Sequence, residues 1–234
     1  MNSWVLLSLC LAHIIADFYF QEDKFCREKA ERKVKSPFMY LHALVIGAVS
    51  WVAIPELDFW KYALLIVGSH WLIDVGKAYL SPTLWTFLLD QLLHFVILFL
   101  VAANYLPQKA MPLQYLDILP DIFLPGLLLA VLFCMKPTNI MIKLILERYQ
   151  IGEASSCQDI KNAGGLIGNL ERMLTLLFVL IGQFEAIGFI VAAKSLLRFK
   201  DTDTAKTEYV LAGTFLSFGI AVACGLAVKY FVMS

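Results

Sequence analysis

Eight apolar runs constrain this 234-residue chain more than any other feature: residues 4–20, 40–54, 60–79, 84–103, 122–135, 166–181, 185–199 and 208–231. Most are long enough, as helices, to cross the roughly 30 Å hydrocarbon core of a bilayer. In lipid a segment must satisfy its own backbone polar groups, so such runs fold as helices. The expected fold is all-α, a polytopic transmembrane helix bundle of about eight helices. The fifth and seventh runs are short enough to be tilted or re-entrant, which sets the range at six to eight. Composition agrees: 60% of residues are hydrophobic, 16% are charged, and the mean hydropathy is +0.73, outside the range of soluble domains.

Met1 to Ser3 carry no charged side chain, so the first run lacks the basic start of a cleaved signal and is expected to stay as a helix. Lys and Arg near helix ends remain in the cytoplasm. The stretch after the first run holds Lys24, Arg27, Lys29, Arg32, Lys33 and Lys35, while residues 55–59 hold none, which predicts an outside N-terminus. Alternation then puts Lys77, residues 136–148 and the group Lys194, Arg198 and Lys200 inside, with Lys109 and Lys229 near outer ends.

Lys+Arg and Asp+Glu both number 19, so no net field argues for a nucleic-acid partner; membrane lipids are the expected surroundings. Cys10, Cys26, Cys134, Cys157 and Cys224 show no short pair spacing and read as packing residues rather than a disulfide or thiolate zinc framework. The sequence divides into a four-helix half, residues 1–105, and a second half, residues 106–234. In the second half, residues 139–149 mix apolar and charged side chains as an interfacial amphipathic helix does. Gly164, Gly165 and Gly168 lack the Lys-Ser or Lys-Thr that a P-loop requires. Gly213, Ser217, Ala221 and Gly225 recur every fourth residue, a face suited either to packing within the chain or to a homo-oligomer.

The chemistry lies in the first half. His13 and Asp17, His70 and Asp74, and Asp90 and His94 are each four residues apart, and His42 is the only other histidine. Residues four apart on an α-helix share a face, so each pair presents an imidazole beside a carboxylate. In the predicted topology the first and third helices run inward and the fourth outward. Aspartate then lies nearer the cytoplasm in all three, with histidine one turn deeper, roughly 12–15 Å from the inner end. Unpaired aspartates at that depth are costly, and a divalent cation neutralises them. The expected ligands are His13, Asp17, His42, His70, Asp74, Asp90 and His94. Seven nitrogen and oxygen donors exceed one tetrahedral shell and suit two ions of zinc, manganese or iron, or one ion with some carboxylates orienting the histidines. A structural polar network or proton path is the other reading of the same residues. In the second half, Lys194 and Arg198 either snorkel to inner headgroups or bind an anionic headgroup, with Glu171 as an ion-pair partner.

The residues around His13 to Phe20, Leu41-His42, His70 to Asp74 with Lys77, and Asp90 to His94 resemble a family of bacterial inner-membrane proteins defined by a domain of unknown function. The runs Gly182-Gln183, Ala192 to Phe199 and Thr207 to Leu211 are similar to longer members of that family. More weakly, the His-x-x-x-Asp pattern resembles inner-membrane metal-dependent hydrolases related by pattern to zinc phospholipases. That likeness implies attack by metal-activated water on a lipid or phosphoester, with the paired residues as ligands and His42 as ligand or general acid. A divalent-cation or proton transporter, and a structural protein with a stabilising metal site, are the alternative functions.

Overall fold

A computed structural model describes residues 2–107, 123–149, 161–198 and 204–232. All regular structure among the described residues is helical, as the apolar runs predict. The elements are α1 (Ser3–Ile14) with a π-helical turn (Ile15–Tyr19), α2 (Asp23–Arg32), α3 (Pro37–Ala53), α4 (Trp60–Ala78), α5 (Leu84–Asn104), α6 (Phe123–Cys134), α7 (Lys136–Arg148), α8 (Lys161–Leu180), α9 (Phe184–Arg198) and α10 (Thr204–Ala227), followed by a second π-helical turn (Val228–Val232).

Each expected membrane segment falls on a helix, but the count of about eight spans is only partly met. Among the described residues three helical runs are long and apolar enough to cross a membrane, Leu84–Asn104, Phe123–Arg148 and Thr207–Tyr230, or four if the α1 and α2 region, bent by 87°, is one broken span. The rest fall short for visible reasons. α1 and α9 have 12 and 15 residues, α3 has 17, and α4 and α8 carry charges inside their apolar stretches, Asp74 and Lys77 in one, Glu171 and Arg172 in the other. Large apolar side chains also face outward along the helices, Leu64, Leu72 and Leu92 among them, at 57–63% exposure. In water such surface would aggregate, whereas a bilayer solvates it.

The chain divides into two compact units, Met1–Leu129 and Ala130–Ser234. In the first, α1 packs on α3 and α5, and α4 packs on the same two, which closes a ring of four helices. Polar caps start two of them: the Asn2 side chain accepts from Trp4 N at 3.0 Å, and Thr83 and Thr86 form a reciprocal capping box before α5. Gly47 lets α3 approach α4, since a Cβ there would lie 2.2 Å from Val67 Cγ2. One end of the ring is an apolar core of Val5, Leu9, Ile54, Phe59, Ile66, Leu98 and Val101. It joins the start of α1 and α4 to the end of α3 and α5, so neighbouring helices run antiparallel. Glu56 ties this end together, accepting from Tyr105 Oη at 2.7 Å while its carbonyl accepts from Trp51 Nε1 at 3.1 Å.

In the second unit α10 packs on α7, α8 and α9. The small-residue face of α10 is filled from within the unit. A Cβ on Gly225 would lie 2.7 Å from Val179 Cγ1, Gly213 faces Leu146, and Ala221 is fully buried. α7, expected to lie at an interface, follows α6 after the single residue Met135, so that Phe123–Arg148 reads as one span-length run. Pro137 has no N–H to continue the α6 ladder. The carbonyls freed at the break accept instead from Thr138 Oγ1, 2.7 Å from Phe133 O, and from the Arg172 guanidinium at Cys134 O. Arg172 is buried and also donates to Asn139, Asn169 and Ser217. α8 starts at Lys161, ahead of the apolar run 166–181, and takes in Gly164, Gly165 and Gly168. Lys109 and Cys157 lie outside the described residues.

Candidate metal centre

The four-helix ring brings together all seven side chains expected of the site, each 9% exposed or less. Their i, i+4 spacing faces them inward from α1, α4 and α5, and α3 supplies His42. The rings of His70 and His94 are 4.1 Å apart, His42 and His70 5.0 Å, and His13 and His94 5.1 Å. The histidines border the apolar core: a small cavity is lined by His13, His70 and His94 together with Ile46, Ile66, Ser69, Ile97 and Leu98. The carboxylates face the opposite end, where α2 and the end of α4 bring lysines to them.

Among the described residues two groups of three have donor atoms close enough to share a metal ion, Asp17, His42 and His70, and His70, Asp74 and His94. Within each, the donor atoms lie within 4.8 Å of one another. They differ in what already occupies their donors. His42 Nε2 is 3.0 Å from Asp17 Oδ1 and is committed to that hydrogen bond. His94 Nδ1 lies 2.9 Å from the Asp90 backbone carbonyl, which only accepts, so Nδ1 carries the proton and Nε2 the lone pair. Nε2 of His94 and Nε2 of His70 are both buried without a hydrogen-bond partner. Such orphaned nitrogens cost stability unless something coordinates them. Asp74 Oδ2 lies 3.9 Å from His70 Nε2. Ligands 2.0–2.1 Å from a tetrahedral ion are about 3.3 Å apart, so closure of the second group requires about an ångström of side-chain movement.

Asp17 departs from the expected stack beneath His13. The turn that carries it is π-helical, with Phe20 N donating to Ile15 O at 3.0 Å, and the extra residue in the turn rotates the carboxylate. Asp17 therefore meets His42 and Gln91. Gln91 organises this side. Its amide nitrogen donates to Asp17 Oδ2 at 3.1 Å and to Asp90 Oδ2 at 3.0 Å, which leaves its carbonyl to accept from His13 Nε2 at 3.3 Å. His13 and Asp90, both expected as ligands, thus fall outside the two groups. His13 donates to Gln91, and Asp90 supports His94 while accepting from Lys77 Nζ at 2.6 Å. Lys29 Nζ reaches Asp74 Oδ2 at 2.7 Å.

Sequence reasoning missed Gln91 and the roles of Lys29 and Lys77. Lys77 was legible, because His70, Asp74 and Lys77 at i, i+4 and i+7 share a face. Lys29 was not, since only the bend after α1 brings α2 to Asp74. In the second half Lys194 Nζ is paired with Glu171 Oε2 at 2.6 Å, the ion pair expected there, and Arg198 closes α9.

The fold and the centre define a class: an all-helical chain with membrane-length helices and a buried histidine–aspartate cluster inside a four-helix ring. Residues 5–118 match the model of the family described as "Protein of unknown function (DUF3307)". No curated protein and no solved structure matches the chain.

Proposed function

We propose that this chain is a multi-pass protein of the bacterial inner membrane, N-terminus outside, that hydrolyses a lipid or other phosphoester with a divalent metal ion held on the cytoplasmic side of its four-helix ring. The observation that carries the reading is the pair of buried Nε2 atoms without hydrogen-bond partners on His70 and His94, two residues that form a three-donor group with Asp74. Because the lone pair of His70 Nε2 serves one ion at a time, we assign a single zinc, manganese or iron ion to His70, Asp74 and His94. Three protein ligands leave a position open for water, as in catalytic sites.

Such an ion supplies Lewis-acid polarisation and lowers the pKa of water towards about 7. The chain's own residues do the rest. Asp90 fixes the tautomer of His94 through its backbone carbonyl, which aims Nε2 at the ion. His42, held by Asp17 at 3.0 Å and 4.0 Å from Asp74 Oδ2, stands beside the ligands as the group that moves a proton. The apolar wall behind the histidines argues against transport. Beyond the histidines its lining is Ile46, Ile66, Ile97, Leu98 and one hydroxyl, Ser69 Oγ, which is bonded to Ile66 O at 3.1 Å.

Elemental analysis of purified protein tests the centre: about one transition-metal ion per chain is expected, and metal-free protein overturns the reading. Turnover of phospholipid or of a model phosphodiester tests the reaction, with His42→Ala expected to keep the ion and lose the activity. Metal flux into proteoliposomes without turnover would replace hydrolysis by transport.

A further inference from the structure

The two lysines at the centre raise a question of charge. Asp17, Asp74 and Asp90 carry three negative charges in a buried layer, and Lys29 and Lys77 bring two positive charges against them. With neutral histidines, that layer stands at minus one. A divalent ion on His70, Asp74 and His94 takes it to plus one. Net charge is costly in a low-dielectric interior, so a loaded centre that keeps both ammonium groups favours an anion beside the ion, either hydroxide formed from its water or an incoming group.

The lysines are placed to hold it. Both contact carboxylates on the face of the centre away from the apolar core, Lys29 at Asp74 Oδ2 and Lys77 at Asp90 Oδ2. Asp74 Oδ2 is also the carboxylate oxygen nearest His70 Nε2, at 3.9 Å, so an ion drawing on it weakens its bond to Lys29. The Lys77 side chain is 43% exposed while the carboxylate it meets is 2% exposed, so this lysine enters the buried centre from the surface of the ring.

We infer that Lys29 and Lys77 form an anion subsite beside the metal ion, which takes a phosphate group. This rests on the proposed metal centre and assigns the phosphate-binding role to these residues rather than to Lys194 and Arg198. The phosphate belongs either to a lipid headgroup or to a free phosphate species, and the chemistry of recognition is the same.

The test measures binding of inorganic phosphate to the full chain in nanodiscs by calorimetry, with metal content determined on the same samples. Metal-loaded wild type is expected to bind phosphate and metal-free protein not to bind it. K29M and K77M should each weaken binding about tenfold, as loss of a charge-assisted hydrogen bond implies, with metal content unchanged. K29R and K77R, which keep the charge, should retain most of the binding. Weaker phosphate binding in phosphatidylglycerol discs than in phosphatidylcholine discs identifies a competing lipid headgroup; equal binding identifies free phosphate.

Four results overturn the inference: no phosphate binding to the loaded wild type, equal binding without metal, methionine variants that bind as wild type does, or methionine variants that lose the ion. The last would make the lysines supports of the ligand frame. A wild type without metal removes the proposed function and this inference together, and the metal assay distinguishes that outcome from the others.

Discussion

His70→Ala is the most informative single perturbation, because His70 is the only residue shared by both three-donor groups. Its Nε2 lies 3.9 Å from Asp74 Oδ2 and 4.0 Å from Asp17 Oδ1, so deletion leaves each group with two donors and no central nitrogen. Loss of a residue that merely supports a ligand lowers metal affinity about 10–100-fold, and loss of the central ligand should cost at least the upper figure. An ion at about 1,000 times its Kd stabilises the folded chain by about 4 kcal/mol, and a hundredfold weaker site leaves about 1.4 kcal/mol. At about 2–4 °C per kcal/mol for a chain of this size, adding metal should raise Tm by about 8–16 °C in wild type. The corresponding rise in His70→Ala should be only about 3–6 °C. The assay is thermal unfolding in nanodiscs with and without a chelator, followed on the metal-loaded and stripped forms of both proteins. Equal metal-dependent shifts in the two would refute the assignment of His70 as the central ligand.

Three further outcomes follow from particular contacts. His13→Ala should still bind about one ion per chain, with affinity reduced about 10–100-fold, because His13 acts through Gln91; a metal titration that shows complete loss would return His13 to the ligand set. Gln91→Leu removes the amide that links Asp17, Asp90 and His13, and metal affinity measured by competition with a chelating dye should fall by a similar factor. Gly225→Ala places a Cβ 2.7 Å from Val179 Cγ1 and should destabilise the second unit by about 1–3 kcal/mol in denaturant unfolding, with metal content unchanged.

Much of the fold and of the site was legible in the sequence. Length and apolarity fixed the helices, because a segment in lipid has no other way to satisfy its backbone. The i, i+4 spacing selected the residues that converge, since that periodicity is a property of one helix and needs no neighbour. His70, Asp74 and His94 were found in this way.

The tertiary structure decided how those residues divide the work. A π-helical turn, invisible to a reading that assumes regular periodicity, moves Asp17 from His13 to His42. Gln91 carries no charge and stood out by no spacing, yet its one amide fixes the partners of three site residues. Lys29 reaches Asp74 across 45 residues of chain, through the bend between α1 and α2. Local periodicity sets which side chains share a face, whereas the contacts between faces depend on the packing of separate helices, which only the folded chain sets.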